Sequence, residues 1–166
     1  GTGFLYVSDS MVDRLVPSQP DHHGADLLAG DRFEWRPGAR RFEHWEHNVA
    51  GWLGLGAAVD TALRWGIDRI EATVTERAEQ LRALLATVGF TIFDEGTDRC
   101  GIVTSASDIR SSTELHRVLT GCRINTSCTH DESSRWDVER RHLPVLLRTS
   151  VHYTTTADEL AETVDV

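Results

Sequence analysis

The sequence contains no lysine, and all 17 of its basic residues are arginines. Its 26 acidic residues outnumber them, so the formal net charge is −9. No run of basic residues with interleaved aromatics is present that could follow a phosphodiester backbone. The composition therefore predicts that nucleic acid is not a partner.

Long hydrophobic runs are also missing. A helix needs roughly 20 apolar residues to span a bilayer, and no run in this sequence approaches that length. We therefore expect a soluble, cytoplasmic protein without a membrane partner. At 166 residues, the chain suits one ordinary domain with one core.

Cysteine is scarce. The sequence has three cysteines, Cys100, Cys122 and Cys128. Their odd number and their wide spacing are unlike a disulfide scaffold and favour free thiols in a reducing compartment. The first residue is Gly1 rather than methionine, and a strand-like apolar pattern follows at once. We expect the chain to be a piece of a longer protein.

Hydrophobic periodicity predicts two helices in the middle of the chain. Apolar residues recur every three or four positions over residues 44–64, which indicates a helix with one buried stripe. A second helix follows Gly66 and closes at Gly89. The stripe of the first helix comprises Trp45, Val49, Trp52, Leu55, Val59 and Leu63.

Strand-like stretches flank these helices. The predicted strands are residues 3–8, 90–93, 100–105, 123–127 and 145–153. Capping boxes at Ser111 with Glu114 and at Thr156 with Glu159 predict the starts of two further helices. The order of elements predicts an α/β fold in which helices pack on one face of a small antiparallel sheet.

Two segments have no strong period. The prolines and paired histidines of residues 9–41 predict an irregular connection, which we expect to cover a site or contact a partner subunit. The polar stretch of residues 129–142 predicts a loop or a short helix.

Arg148 stands in the middle of an otherwise apolar strand, VLLRTSVHY. Because side chains alternate along a strand, Arg148 shares one face with Ser150 and His152, while Leu147 and Thr149 point to the core. A planar guanidinium on a rigid strand suits a carboxylate held by two parallel hydrogen bonds. The alternative is a structural salt bridge on an edge strand, and spacing alone favours that alternative.

Two other groups of residues suggest chemistry more weakly. Cys128, with His130 two residues later, fits a nucleophile, but a lone cysteine is more often a small buried side chain. His44 and His47 fit two metal ligands on a helix, but no further ligand completes a set at a diagnostic spacing. The sequence therefore predicts no metal site.

Three stretches in collinear order resemble the C-terminal part of the class V aminotransferases, a family of pyridoxal-phosphate enzymes. They are GTGFLYVS, RRFEHWEHNVAGWLGLGAAVDTALRWGIDRI and SSRWDVERRHLPVLLRTSVHYTTTADEL. The RFE-x-WE spelling of residues 41–46 and the SVHY spelling of residues 150–153 are most similar to the branch of isopenicillin-N epimerase and ergothioneine-pathway carbon–sulfur lyases.

The resemblance implies a fold, a domain assignment and a cofactor. The fold would be the small C-terminal domain of a pyridoxal-phosphate-dependent transferase, with one strand that belongs to the large domain. Residues 1–41 would be a remnant of the large domain and an interface loop, and residues 42–166 the small domain with long connecting helices. In the family, the lysine that forms the Schiff base precedes the GTGFLYV strand, so this lysine-free chain is expected to bind no pyridoxal phosphate covalently and to be inactive alone.

The resemblance also implies a role for Arg148. In the family, the arginine of the R-x-S-x-H-Y strand binds the α-carboxylate of the amino-acid substrate, which favours ligand binding over the salt bridge. The full-length enzyme would be a homodimer that catalyses transamination, epimerisation or carbon–sulfur lysis. Many relatives have a threonine that reaches the cofactor phosphate where this chain has Glu46, so no cofactor-binding residue is assigned.

Two alternatives remain open. The first is a cysteine desulfurase in which Cys128 carries the persulfide. The second is a non-catalytic dimerisation or binding module.

Overall fold

The computed structural model describes residues 2–166, apart from the side chains of Asp131 and Ser133. The chain forms two compact units, the first ending at Arg64 and the second running from Trp65 to Val166. This boundary lies within a helix, whereas the sequence predicted a domain boundary after residue 41. The assignment of residues 1–41 to a larger domain stays a prediction.

The first unit contains short elements and one long helix. Its elements are α1 (Asp9–Val12), β1 (Ala25–Leu27), β2 (Phe33–Trp35), a 3-10 helix (Gly38–Phe42) and α2 (Val49–Trp65), whose last residue lies beyond the boundary. Strands β1 and β2 pair antiparallel, with Ala25 opposite Trp35. Arg41 donates through Nη1 to the carbonyl oxygen of Val12 at 3.1 Å, which ties the 3-10 helix to α1. The predicted irregular connection therefore contains a hairpin.

Helix α2 begins later than the sequence predicted. Oδ1 of Asn48 accepts the backbone N–H of Gly51 at 2.9 Å, which satisfies one of the free donors at a helix start. The predicted burial of its apolar stripe is wrong, because Val49, Trp52 and Leu63 are all exposed. Burial requires a second apolar surface, and none covers this stripe in the part of the chain that the structure describes.

The predicted strand at residues 3–8 is also wrong. The described residues of this stretch form no strand, and Phe4, Leu5 and Tyr6 are strongly exposed. A strand exists only when a neighbouring backbone accepts and donates its hydrogen bonds. No described residue pairs with this stretch, so its apolar pattern alone does not produce a strand.

The second unit is an antiparallel sheet with helices. Its elements are α3 (Ile67–Thr87), β3 (Phe90–Ile92), β4 (Ile102–Ser107), α4 (Ser112–Gly121), β5 (Ser127–Thr129), α5 (Asp131–Arg141), β6 (Leu146–Ser150) and α6 (Ala157–Asp165). The strand order is β3-β4-β6-β5, and every neighbouring pair is antiparallel. The polar stretch that was predicted as a loop or short helix is the helix α5.

Helix ends in this unit follow the predicted signals. Gly66 and Gly89 flank α3 with φ of 90° and 86°, values that glycine adopts without the steric cost of a Cβ. Thr156 and Glu159 form a complete capping box at the start of α6. Ser111 accepts the N–H of Glu114, which is half of the box predicted for α4.

The core lies between the sheet and the helices. It consists of buried apolar side chains from α3, β4, the residue that follows β6, and α6: Ala78, Leu81, Leu85, Val103, Val151 and Leu160. Leu119 of α4 is buried as well, and it lines a small apolar cavity with residues of α3, β6 and α6. Helices α3, α4 and α6 therefore cover one face of the sheet, as the sequence predicted.

The strand predicted at residues 123–127 is displaced along the chain. Arg123 has a left-handed φ of 65°, and the N–H of Ile124 donates to the carbonyl oxygen of Leu119 at 2.9 Å. These turn bonds extend the end of α4 and leave the backbone unavailable for a ladder. The strand is instead β5, Ser127–Thr129.

Within residues 2–166, no helix combines the length and the apolar character that a membrane crossing requires.

Candidate functional site

Arg148 occupies the middle of an interior strand. In the sheet register it lies opposite Thr104 of β4 on one side and Ser127 of β5 on the other. Leu147 and Thr149 are 1% and 4% exposed, whereas Arg148 is exposed. The predicted alternation is confirmed from Leu147 to Ser150, whereas Leu146, on the same face as Arg148, is buried. The sheet therefore presents the guanidinium on the face that α3, α4 and α6 do not cover.

No hydrogen bond or ion pair joins the side chain of Arg148 to any described residue. The alternative interpretation, a structural salt bridge on an edge strand, is therefore wrong on both counts, because β6 is interior and the arginine has no carboxylate partner among these residues. An unpaired guanidinium beside two hydroxyl-bearing residues is an arrangement that can accept an anion.

A cavity of about 590 Å³ lies against this face of the sheet. Arg148, Thr104 and Ser127 line it from the sheet, and Asp137 and Val138 line it from α5. Its volume lies in the range of small-molecule pockets, about 300 to 1,000 Å³. The cavity can therefore hold a ligand the size of an amino acid.

Arg141 holds the α5 wall of the cavity in place. Its Nη2 donates to the carbonyl oxygen of Phe93 at 2.7 Å and pairs with Glu95 at 3.0 Å, and its Nη1 donates to Asp137 at 3.0 Å. Hydrogen bonds from Arg140 and Arg141 lower the pKa of Asp137, so its carboxylate stays ionised. Charge-assisted bonds thus join the helix to the segment that follows β3.

Asp94 lines the cavity, but its carboxylate is engaged from the core side. Arg82 of α3 donates to Oδ2 of Asp94 through Nε at 2.9 Å and through Nη2 at 2.6 Å. Oδ1 of Asp94 lies 3.4 Å from the N–H of Thr104, which it accepts. Both oxygens of the Asp94 carboxylate are therefore occupied, one by Arg82 of α3 and the other by the backbone of β4.

Of the three residues predicted to share one strand face, Arg148, Ser150 and His152, only Arg148 lines this cavity. Ser150 lines a separate cavity of about 560 Å³, and His152 follows the end of β6. The Nδ1 atom of His152 lies 3.2 Å from Oγ1 of Thr154, and its ring centroid is 4.1 Å from that of Tyr153. Substrate binding by Ser150 and His152 stays a prediction.

Cys128 also lines the cavity with Arg148. Its thiol donates to the carbonyl oxygen of Ser112, with the two atoms 3.4 Å apart. Burial raises the pKa of the Cys128 thiol, which lowers the thiolate fraction and hence its strength as a nucleophile. His130 directly precedes α5.

The histidines of the first unit do not assemble a metal site. His44 Nδ1 lies 3.9 Å from a carboxylate oxygen of Asp21, and the His47 ring stacks on Trp52 with centroids 4.5 Å apart. Among the described residues, no group of three or more potential metal ligands is found.

The residues of this chain do not by themselves provide a covalent site for pyridoxal phosphate. The cofactor's aldehyde condenses with a lysine amine, and the sequence has none. What the second unit does provide is a cation for a ligand's anionic group.

The wall that α5 forms was not predicted from the sequence. Asp137 stands three and four residues before Arg140 and Arg141, a spacing that places both pairs on neighbouring positions of a helix. That signal was available in the stretch predicted as a loop or short helix.

Comparisons with known proteins point in one direction. The family model described as "Aminotransferase class-V" matches residues 1–162. A probable cysteine desulfurase of Methanothermobacter thermautotrophicus is 25% identical over 96% of this chain and 41% of the relative. A probable cysteine desulfurase of Xylella fastidiosa is 33% identical over 78% of this chain and 32% of the relative. The chain thus spans about two-fifths or less of the length of these curated relatives.

Solved structures show the same fold. The apo cysteine desulfurase of Thermococcus onnurineus NA1 superposes with a TM-score of 0.84 at 16% identity, over 96% of this chain and 40% of that one. The cystine C-S lyase C-DES superposes with a TM-score of 0.76 at 19% identity, also over 96% of this chain and 40% of that one. The predicted fold class, the small C-terminal domain of a pyridoxal-phosphate-dependent transferase, is confirmed.

Proposed function

The chain belongs to the class V aminotransferase family, and from that premise we propose that it forms the C-terminal part of a pyridoxal-phosphate-dependent enzyme whose amino-acid substrate binds through its α-carboxylate to Arg148. The observation that carries the proposal is the unpaired guanidinium of Arg148 on an interior strand, facing a cavity of about 590 Å³.

The chemistry of Arg148 supports this role. A guanidinium presents parallel N–H donors that match the two oxygens of a carboxylate, so it fixes the orientation of the ligand as well as its charge. Neighbouring strands hydrogen-bond β6 on both sides, which fixes the Cα of Arg148 against Thr104 and Ser127. A substrate held in this way has one end immobilised while the rest is turned toward the reacting groups.

The reaction subtype is narrowed by the names of the relatives. Transamination, epimerisation and carbon–sulfur lysis all begin with an oriented amino acid, and the curated relatives are named cysteine desulfurases. Carbon–sulfur cleavage is therefore the subtype we favour for the full-length enzyme, with a second subunit completing a homodimer.

A second candidate within this subtype is a cysteine desulfurase in which Cys128 accepts the sulfur. The names of the relatives favour the idea, but the core-facing Leu147 lies opposite Cys128 in the sheet register, which places the thiol on the face away from Arg148. Its raised pKa and its bond to the carbonyl oxygen of Ser112 count against it, because the protonated thiol is a weak nucleophile. Persulfide labelling of the full-length enzyme during turnover, compared with Cys128→Ser, separates the two candidates.

The test of the proposal is Arg148→Lys in the full-length enzyme. Lysine keeps the charge but loses the two parallel donors, so we expect kcat/KM for amino-acid substrates to fall by about one to two decades. The melting temperature should change little, because Arg148 contacts no described carboxylate. Arg117→Lys is the matched control, since Arg117 is an exposed arginine of α4 outside the cavity.

An unchanged kcat/KM in Arg148→Lys would overturn the proposal. A full-length protein with no activity toward any amino acid would instead support the non-catalytic module.

A further inference from the structure

Arg140 and Arg141 share one carboxylate but are held very differently. Arg141 is bound by Asp137, Glu95 and the carbonyl oxygen of Phe93, and its side chain is 19% exposed. Arg140 makes one bond among the described residues, to Oδ1 of Asp137 at 2.9 Å, and its side chain is 73% exposed. Arg140 can therefore leave Oδ1 of Asp137 while Arg141 stays bonded to Oδ2.

The charges of the cavity do not cancel. The described lining residues include three arginines, Arg140, Arg141 and Arg148, and three acidic residues, Asp94, Glu95 and Asp137. Asp94 is neutralised from outside the lining by Arg82. Three positive charges then face two negative ones, which leaves a surplus of one positive charge.

That surplus discriminates between classes of amino acid. An amino acid with a neutral side chain is a zwitterion of net charge zero, so it leaves the surplus uncompensated. An amino acid with a second anionic group carries a net charge of −1 and cancels it. Electrostatic complementarity of this kind separates ligands of similar shape.

The two available cations also stand on different walls. Arg148 projects from the sheet, and Arg140 belongs to α5. An exposed ion pair such as Arg140 with Asp137 contributes little to stability, so its exchange for a ligand costs little. Both ends of a dianionic ligand can thus find a guanidinium.

We propose that Arg140 is a specificity-determining residue that binds a second anionic group, so that, for the carbon–sulfur cleavage favoured above, the substrate class is sulfur-containing amino acids whose side chain also carries a carboxylate or a similar oxyanion. The proposal rests on the proposed function, because it takes the α-carboxylate to bind at Arg148.

The test compares isosteric ligands on the full-length holoenzyme. L-aspartate with L-asparagine and L-glutamate with L-glutamine are assayed as substrates or, where they are not turned over, as competitive inhibitors. Whichever of aspartate and glutamate binds more tightly should bind about tenfold or more tightly than its own amide, as a charge-assisted hydrogen bond implies. Arg140→Gln should reduce that ratio to within about twofold of unity, mainly by weakening the acid.

Arg135→Gln is the matched control. Arg135 lies on the same helix, is similarly exposed and pairs with Glu139 at 3.8 Å, but does not line the cavity. It should leave the acid-to-amide ratio unchanged. Arg140→Lys should retain part of the preference, because the charge remains.

The outcomes separate this inference from the function on which it rests. The proposed function stands if Arg148→Lys weakens the binding of all four amino acids. The inference about Arg140 is then overturned if the wild-type acid-to-amide ratio is unity, or if Arg140→Gln leaves that ratio unchanged. If Arg148→Lys weakens none of them, the proposed function fails first.

Discussion

Arg82 and Asp94 form the most enclosed ion pair among the described residues of the second unit, with two guanidinium nitrogens 2.9 and 2.6 Å from the same carboxylate oxygen. The side chains of Arg82 and Asp94 are 5% and 14% exposed. The same guanidinium also donates to the carbonyl oxygen of Cys100 at 2.9 Å, so it fastens α3 to both ends of the turn between β3 and β4.

Arg82→Met should lower the free energy of unfolding by about 3 kcal/mol. The substitution leaves the largely buried carboxylate of Asp94 without its partner, which is the costly way to break a buried pair. Chemical denaturation of both variants measures the effect. Arg99→Met is the control, because Arg99 pairs with Glu79 in a more exposed position and should cost less than about 1 kcal/mol. Equal losses in the two variants would contradict this prediction.

Gly101→Ala should destabilise the second unit by about 1 to 3 kcal/mol through overpacking. An added Cβ would lie 2.7 Å from Cγ1 of Val74 and 3.0 Å from the carbonyl oxygen of Val151, and neither atom belongs to a flexible side chain end. Gly121→Ala meets no atom within 4 Å and should be nearly neutral. Thermal unfolding of the two variants gives the comparison, and a neutral Gly101→Ala would show that the strands can shift.

The capping box of α6 should give stability a dependence on pH. Thr156→Ala removes the N-cap acceptor and should cost about 1 kcal/mol. The backbone N–H and then the hydroxyl of Thr156 lower the pKa of Glu159. Because the folded value is the lower one, the contribution of Glu159 is present above the ordinary carboxyl pKa and is lost as pH falls through the lowered value.

Urea denaturation of the wild type and Glu159→Gln at several pH values tests this sign. The difference between them should be largest near neutrality and should shrink toward acid. A difference that grows as pH falls would refute the assignment.

The three cysteines should differ in their rates of alkylation. Cys100 and Cys122 are exposed, whereas Cys128 is partly buried and burial raises its thiol pKa. Because the thiolate is the reactive form, iodoacetamide should modify Cys128 last at pH 8, and more alkaline buffer should narrow the gap. Peptide mapping by mass spectrometry reads the order. Labelling in denaturant, where all three should react alike, is the control, and early labelling of Cys128 would revive it as a nucleophile.

Local signals predicted the second unit well. The glycines that flank α3, the box at Thr156 and Glu159, and the alternation around Arg148 all act through neighbouring residues, and the structure contains each of them. The strand predicted directly after α4 was wrong because Arg123 adopts a left-handed conformation, which is uncommon for arginine and cannot be predicted from the residue type.

The remaining wrong predictions concern contacts between distant parts of the chain, which a local sequence pattern does not specify. The apolar spelling of residues 3–8 resembles a strand, but a strand depends on a partner, and no described residue supplies one. The stripe of α2 has helical spacing, but its burial depends on what covers it. In the site, Arg148 is unpaired because no described acidic side chain reaches it, and that depends on the whole fold. The bond between Arg82 and Asp94 joins residues 12 positions apart.

The position of β6 between two partners also limits how chain length can vary. A residue inserted or deleted between Leu146 and Arg148 would exchange the two faces of the strand. The guanidinium would then point toward Leu81 and Val103, and an apolar side chain would point into the cavity. In the segments before and after β6, an added or lost residue does not exchange the two faces of the strand. Insertions and deletions that keep Arg148 facing the cavity are therefore expected only in these flanking segments, and the number of residues within β6 is fixed.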